Sequence, residues 1–369
     1  MASRQKIDWN SDESHLMLNP RMVEEERKEL EALFQKYSRP GHIWIASSGS
    51  SQNFGHSVKL IALSKDAFLA SATAVNEHLE SDAKDIWYQC LPRFHVGGLS
   101  IETRAFQSGA RVISTENWKV GDFIRACRDD KVTLSSLVPT QVFDLIQAGE
   151  KAPPSLRALV IGGSSLSQDL YEKAVDLGWP LLPSYGMTEC CSQIATAALG
   201  SSQNKNRDLH LLSHVQVLAT DDGSLRIQSP ALLTGYAQWI HGEKHWIDPK
   251  VNGWYQTQDL GQIENRKVIP LGRNSDFIKI SGEGVQLSRL QELFEGLAQK
   301  EMPSQWQDMR VVARPDERTG HKIVLETLEN VNAEKIQNLF NLQVAPYEKI
   351  REWHRVKTLP WKKRSPSSW

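Results

Sequence analysis

Cysteine is scarce in this sequence and is never paired in a metal-binding spacing. Cys90, Cys127, Cys190 and Cys191 are its four cysteines, and none forms a C-x-x-C, which disfavours both a structural zinc site and a disulfide framework. A reducing, cytoplasmic setting is the expectation. An excess of charge is missing too: 43 Lys plus Arg face 44 Asp plus Glu, a net charge of -1. Without a broad basic field there is little to track a phosphate backbone, so nucleic acid is not an expected partner. The first fifteen residues carry Arg4, Lys6, Asp8, Asp12 and Glu13 with no apolar run behind them. Neither a signal peptide nor a membrane span is therefore expected. Internal repeats and low-complexity tracts are likewise missing. What is present, with 40% hydrophobic residues, is a globular chain long enough for a large domain and a small one.

Residues 20–37 read as a charged helix in which Leu30, Leu33 and Phe34 make one apolar stripe. Beyond it, apolar runs alternate with helical patterns: 43–46 then 64–79, 86–91 then 97–107, 134–138 before a helix from 140, and 156–161 before a helix from 167. That alternation predicts a largely parallel sheet. Around 215–218 and 225–228 the texture changes to short strands joined by Asp221-Asp222-Gly223, the signature of a hairpin. After Arg273, strand-like runs at 277–280, 309–313 and 322–327 mix with helical ones at 288–297 and 333–339. The expected fold class is α/β, with a large N-terminal domain over residues 1–274 that combines a mostly parallel sheet with a β-rich subdomain. A small, mobile α+β C-terminal domain over 275–369 completes it.

The strongest motif is Tyr185-Gly186-Met187-Thr188-Glu189, just after the strand expected at 181–183 and Ser184. A specified five-residue string arises by composition roughly once in a few million positions. Upstream, Ser47-Ser48-Gly49-Ser50-Ser51 follows an expected strand; its backbone N–H groups could hold phosphate oxygens, although alone it is an ordinary polar turn. Further segments follow in order: Leu91-Pro92-Arg93-Phe94-His95-Val96-Gly97-Gly98, Ser136-Leu137-Val138-Pro139-Thr140, Ile161-Gly162-Gly163-Ser164, Gly253-Trp254-Tyr255-Gln256-Thr257-Gln258-Asp259 and Gly272-Arg273-Asn274-Ser275-Asp276. This series resembles the core motifs of the adenylate-forming superfamily of acyl-CoA synthetases, luciferases and peptide-synthetase adenylation domains. The match spans residues 43–287.

The resemblance implies a role for each matching position. Ser48, Gly49, Ser50, Ser51 and a lysine, Lys59, would hold the ATP phosphates. Tyr185, flanked by Ser184 and Gly186, would stack on adenine, and Gly162 and Gly163 would let the backbone approach the base. Asp259 would accept from the ribose hydroxyls, and Arg273 would reach ribose or phosphate. Thr188 would contact the α-phosphate, and Glu189 would help hold Mg²⁺, a hard cation that takes oxygen ligands. His95 would gate the acyl and pantetheine pockets. Lys279 would serve transfer to coenzyme A, and Lys363, with Lys362 as its rival, would contact the carboxylate during adenylation. No protein nucleophile is required, because the substrate carboxylate itself attacks the α-phosphorus. Singly, Asp259 could cap a turn, Arg273 could be a surface ion pair and the glycines could end a strand; in series they point to one chemistry. Cys190 and Cys191 read as packing, since no base or metal spacing accompanies them.

Departures from the pattern are definite. Gln52 follows Ser51 where the phosphate loop usually has glycine, and Lys59 follows what looks like an insertion around residues 53–56. Gln258 replaces the usual glycine of the ribose motif, and Ser275 the usual hinge Asp or Lys; a hinge absorbs backbone rotation, which Ser tolerates. About forty residues precede the phosphate loop where the family has about a hundred more, so exposed apolar surface and a homodimer are expectations. Within the superfamily, residues 136–141, residues 281–286 and the small size look like the o-succinylbenzoate-CoA ligases of menaquinone synthesis. These act on a small-molecule aromatic dicarboxylate and CoA. On that reading Thr140, Ser192, Gln193, Thr196 and His95 line the acyl pocket, with no cationic residue among these segments. Two other readings stay open: an enzyme that loads an aryl or amino acid onto a carrier protein, and a degenerate, non-catalytic nucleotide or acyl binder.

Overall fold

Short strands with every side chain buried, each followed by an amphipathic helix, build the centre of the larger of two units. The computed structural model describes residues 6–46, 59–164, 166–273, 277–280, 283–316, 319–328, 330–357 and 359. Its first unit is Met1–Thr257 with Gln262–Ile269, and its second is Gln258–Gly261 with Pro270–Trp369.

The first unit opens on a five-stranded sheet of β1 (His15–Met17), β2 (His42–Ala46), β3 (Leu60–Ser64), β13 (Gly235–Ile240) and β14 (Glu243–Ile247), in that order. Helix α1 (Glu24–Tyr37) covers it through Leu30 and Leu33, which pack with Trp44 and Leu60. The helix starts later than the sequence pattern suggests. Asn19 caps a turn instead, its side chain accepting from Arg21 N at 2.9 Å and its carbonyl from Met22 N at 3.1 Å. Helix α2 (Lys65–Leu79) begins where its signal lies, with the Ser64 hydroxyl accepting from Ala67 N at 3.0 Å.

The parallel sheet follows: β4 (Ile86–Gln89), β5 (Arg111–Ser114), β6 (Leu134–Leu137), β7 (Ala158–Ile161) and β8 (Leu181–Met187). Helices α3 (Val96–Ser108), α4 (Val120–Asp129), α5 (Pro139–Gln147) and α6 (Gln168–Asp176) make the crossovers. The order is β5-β4-β6-β7-β8, every pair parallel. Alternation sorts the side chains onto two faces: Trp87, Leu134 and Val160 enter a core with Phe68 and Leu99, while Tyr88, Leu159 and Ile161 enter one with Phe123 and Trp179. Beyond β8 the same sheet turns antiparallel through β9 (Ser192–Ala197), β10 (Leu209–Leu211), β17 (Lys267–Arg273), β16 (Trp254–Glu264), β12 (Ser224–Gln228) and β11 (Gln216–Ala219), with β15 (Lys250–Val251) paired to β16. The β11–β12 hairpin turns at Asp221-Asp222-Gly223, as the sequence predicts.

In the second unit, β18 (Phe277–Ile280) pairs with β19 (Glu283–Gln286). Strands β20 (Met309–Asp316), β21 (Gly320–Leu328) and β22 (Glu352–Val356) form a sheet in that order. Helices α7 (Leu287–Glu301) and α8 (Glu334–Asn341) bury Leu290, Phe294, Ile336 and Phe340 in the core that this sheet shares. The result is the small α+β arrangement read from the sequence.

Candidate active site

Parallel strands bring their carboxyl ends to one edge, and four of the sequence motifs stand there. Residues 90–95 follow β4, Val138-Pro139-Thr140 follows β6, Gly162-Gly163-Ser164 follows β7, and Tyr185–Glu189 closes β8. The strand order reverses at β4: β5 lies on one side and β6, β7 and β8 on the other. Open α/β sheets bind ligands in the crevice at such a switch point. His95 and Thr140 flank it, both exposed. His95 is the N-cap residue of α3, its ring 4.6 Å from that of Phe94.

Strand β8 outruns its parallel partner and continues as an antiparallel hairpin with β9. Ser184 faces Thr196 and Tyr185 faces Ala195; the register then shifts so that Gly186 faces Gln193. A Cβ on Gly186 would lie 1.8 Å from the Ser192 carbonyl oxygen, so only glycine fits. Thr188–Cys190 form a 3₁₀ turn, and the chain returns through Cys191 at φ 50° and Ser192 at φ 108°, both in the left-handed region. Buried neighbours hold this turn: Leu233 N donates to Glu189 O at 2.8 Å, and Ser100 and Ser71 hydroxyls lie 3.1 and 3.4 Å from Cys191 O. Thr188 and Glu189 are half-buried.

The base-binding candidates converge. The Ser184 hydroxyl donates to Ile161 O at 2.9 Å, a Cβ on Gly162 would sit 3.2 Å from that hydroxyl, and Gly163 takes φ 86° against Val138. Lys59 precedes β3 with its Nζ 4.6 Å from the ring centre of Tyr236. Burial, and next the charge of Glu189, push the Tyr236 phenol up, so Lys59 and Glu189 both bear on this one ring. Of the pocket candidates, Ser192 is half-buried, while Gln193 and Thr196 are 2% and 0% exposed and bond to each other at 2.5 Å. Cys190 and Cys191 are buried; desolvation pushes the Cys190 thiol up to about 12, which suits a packing residue.

Asp259 and Arg273 belong to the second unit, where Arg273 Nε lies 3.2 Å from Asp259 Oδ1. Lys279 stands on β18. Ser48, Gly49, Ser50, Ser51, Ser275, Lys362 and Lys363 lie outside the described residues.

Residues 58–236 match the sequence model of the AMP-binding enzyme family. This stretch holds strands β3 to β12 and the Tyr185–Glu189 turn. Among curated proteins it is 29% identical to a 2-succinylbenzoate--CoA ligase of Staphylococcus epidermidis over 306 residues, 79% of this chain and 62% of that protein. It thus spans about three fifths of the length of such relatives. Among solved structures, the o-succinylbenzoate CoA synthetase of Bacillus subtilis bound to an acyl-adenylate intermediate superposes with a TM-score of 0.74 at 23% identity, covering 86% of this chain and 66% of that one. The same enzyme with ATP and magnesium gives a TM-score of 0.73 at 23% identity, with 86% and 66% coverage. The fold is that of the adenylate-forming enzymes. No helix among the described residues is long and apolar enough to cross a membrane.

The first unit also holds a residue that sequence reasoning missed. Arg104, on α3, is 1% exposed and has no carboxylate partner among the described residues. Its Nη1 lies 3.4 Å from the Ser136 hydroxyl, its Cζ lies 5.6 Å from the Trp87 ring centre, and its Nε is buried without a partner. Burial alone pulls its pKa down to about 9. Ser136 is the penultimate residue of β6, the strand next to β4, so a buried cation stands close to the carboxyl edge of the sheet. In the sequence, the apolar face that Leu99, Ile101 and Ala105 give α3 hides it; an arginine in a core-facing stretch was the available signal.

Proposed function

We propose that the chain is an AMP-forming carboxylate–CoA ligase that makes an acyl-AMP and then an acyl-CoA, with o-succinylbenzoate as its acid. The Thr188–Glu189 turn carries this reading. It stands at the carboxyl edge beside the Gly162-Gly163 turn, with Lys59 bearing on the same Tyr236 ring. A base would lie against the ring of Tyr185, with the glycine backbone allowing close approach. Glu189 and the Thr188 hydroxyl are hard oxygen donors, a set that fits Mg²⁺, which when bound would neutralise phosphate charge. Around them the chain's own groups orient two anions. Thr188 holds the α-phosphate, Lys59 and residues 48–51 the outer phosphates, and Asp259 and Arg273 the ribose. The acid's carboxylate then attacks the α-phosphorus and expels pyrophosphate. His95 guards the approach of the CoA thiol; Lys363 serves the first half-reaction and Lys279 the second. A boundary at 274/275, with the small domain turning between the two steps, belongs to the same proposal.

The acid must bury a ring and a second carboxylate that is not activated. Arg104 meets that need: a buried guanidinium without a counter-ion favours an anion, and a carboxylate can accept two of its N–H groups. The relatives' name and the solved acyl-adenylate complex agree with this choice. Pyrophosphate exchange into ATP driven by o-succinylbenzoate tests the first half-reaction, and CoA-dependent AMP release tests the second. Exchange without a CoA effect would favour a carrier-loading enzyme; no exchange with any carboxylate would leave a nucleotide or acyl binder.

A further inference from the structure

Helix α3 begins badly for a helix that must hold a functional residue at its tip. His95 is its N-cap without a side-chain cap bond, Gly97 and Gly98 fill the first turn, and no acidic side chain stands there. Glycine is a poor helix former, and without a side-chain cap the first amides lack a side-chain acceptor. The glycine at 98 is obligatory, because a Cβ would lie 2.3 Å from Pro92 O. Something other than the helix must hold the turn.

That support comes from one turn further along. Glu102 accepts from Arg93 through both carboxylate oxygens, Oε1 from Nε at 2.6 Å and Oε2 from Nη2 at 2.9 Å. The pair is 19% and 20% exposed, so solvent screens it only in part. Gln89, buried at the end of β4, ties the pair to the sheet: its Nε2 donates to Glu102 Oε1 at 2.9 Å and to Gly98 O at 2.8 Å, and its Oε1 accepts from Ser114 at 2.7 Å. The chain from Arg93 to His95 is two residues long, and His95 N donates to Pro92 O at 3.1 Å.

We infer that Glu102 is a positioning residue for transfer to the thiol: by gripping Arg93 it fixes the Pro92–His95 turn, and so the place of His95 at the switch point. The inference rests on the proposed role of His95. Bidentate geometry sets direction as well as distance, so loss of either partner loosens the turn, and the two side chains are coupled.

The test separates the half-reactions in the full chain. In Arg93→Ala and Glu102→Gln, thioester formation from preformed acyl-AMP is expected to fall about tenfold while pyrophosphate exchange stays within about twofold. The double variant should lose no more than either single one, and Arg93→Lys, which keeps the charge but not the fork, should fall between. Carbethoxylation of His95 by diethyl pyrocarbonate, read by peptide mapping, should change in rate in the same sense in both single variants. Additive losses, an equal loss in both half-reactions with a lowered melting temperature, or no change in either readout would each overturn the inference. His95→Ala separates the two readings: if it leaves thioester formation intact, the role of His95 fails, while the carbethoxylation rates still decide whether Glu102 holds the turn.

Discussion

Arg104 concentrates the tension between stability and chemistry in a single side chain. A buried charge without a partner costs several kcal/mol, and exchanging it for an apolar residue of similar volume is often neutral or stabilising. Arg104→Met is therefore expected to keep or raise the melting temperature, while kcat/KM for o-succinylbenzoate falls at least about a hundredfold, the scale of a lost buried charge pair. A variant that is less stable yet equally active would show that Arg104 is structural. Glu189 makes the complementary case. Glu189→Gln keeps the shape of the Thr188–Cys190 turn, whose contact to Leu233 is through the backbone, but offers a neutral amide to a hard dication. Pyrophosphate exchange should drop about tenfold or more at ordinary Mg²⁺ and recover in part at high Mg²⁺. An unchanged rate would remove Glu189 from the site.

The β8–β9 hairpin is the element on which the proposed site depends, and Gly186 is its narrowest point. Gly186→Ala pushes a methyl into the Ser192 carbonyl; a loss of about 1–3 kcal/mol is expected, with exchange activity reduced further because Thr188 and Glu189 move with the turn. Chemical denaturation and exchange measured on one preparation give both numbers, and a fully active, equally stable variant would mean that the hairpin tolerates rearrangement. Much of this element was legible in the sequence. Five specified residues after a strand gave the turn its place, and short apolar runs alternating with helical patterns gave the parallel strands. The Asp-Asp-Gly turn gave the β11–β12 hairpin. Partners far apart in sequence were not legible: β3 and β13 pair across about 170 residues, and no local pattern records that. The burial of Gln193 and Thr196 was hidden for a related reason, since a polar pair bonded to each other inside a core has the composition of a pocket wall. Arg104 and the Arg93–Glu102 grip were missed because their meaning lies in what they face.

At the scale of the whole molecule, acid should loosen the first unit through one buried histidine. Both ring nitrogens of His214 are buried without a partner, and desolvation, opposed by Glu77, pulls its pKa from 6.5 to about 4. Between those values the unfolded chain binds a proton that the folded chain refuses. Stability is thus complete above pH 6.5 and declines as pH falls toward 4, by about 3 kcal/mol at most. Urea midpoints at pH 7 and pH 4.5 check this, and His214→Phe should flatten the slope; an unchanged slope would assign the acid sensitivity elsewhere. The central claim remains the reaction. Its most direct test is kcat/KM for o-succinylbenzoate, benzoate and a medium-chain fatty acid with CoA as acceptor. A site with a buried cation for the second carboxylate should reject acids that leave it unmatched by at least about a hundredfold. Preference for o-succinylbenzoate is the expected result, and a preference for benzoate or the fatty acid would contradict the account.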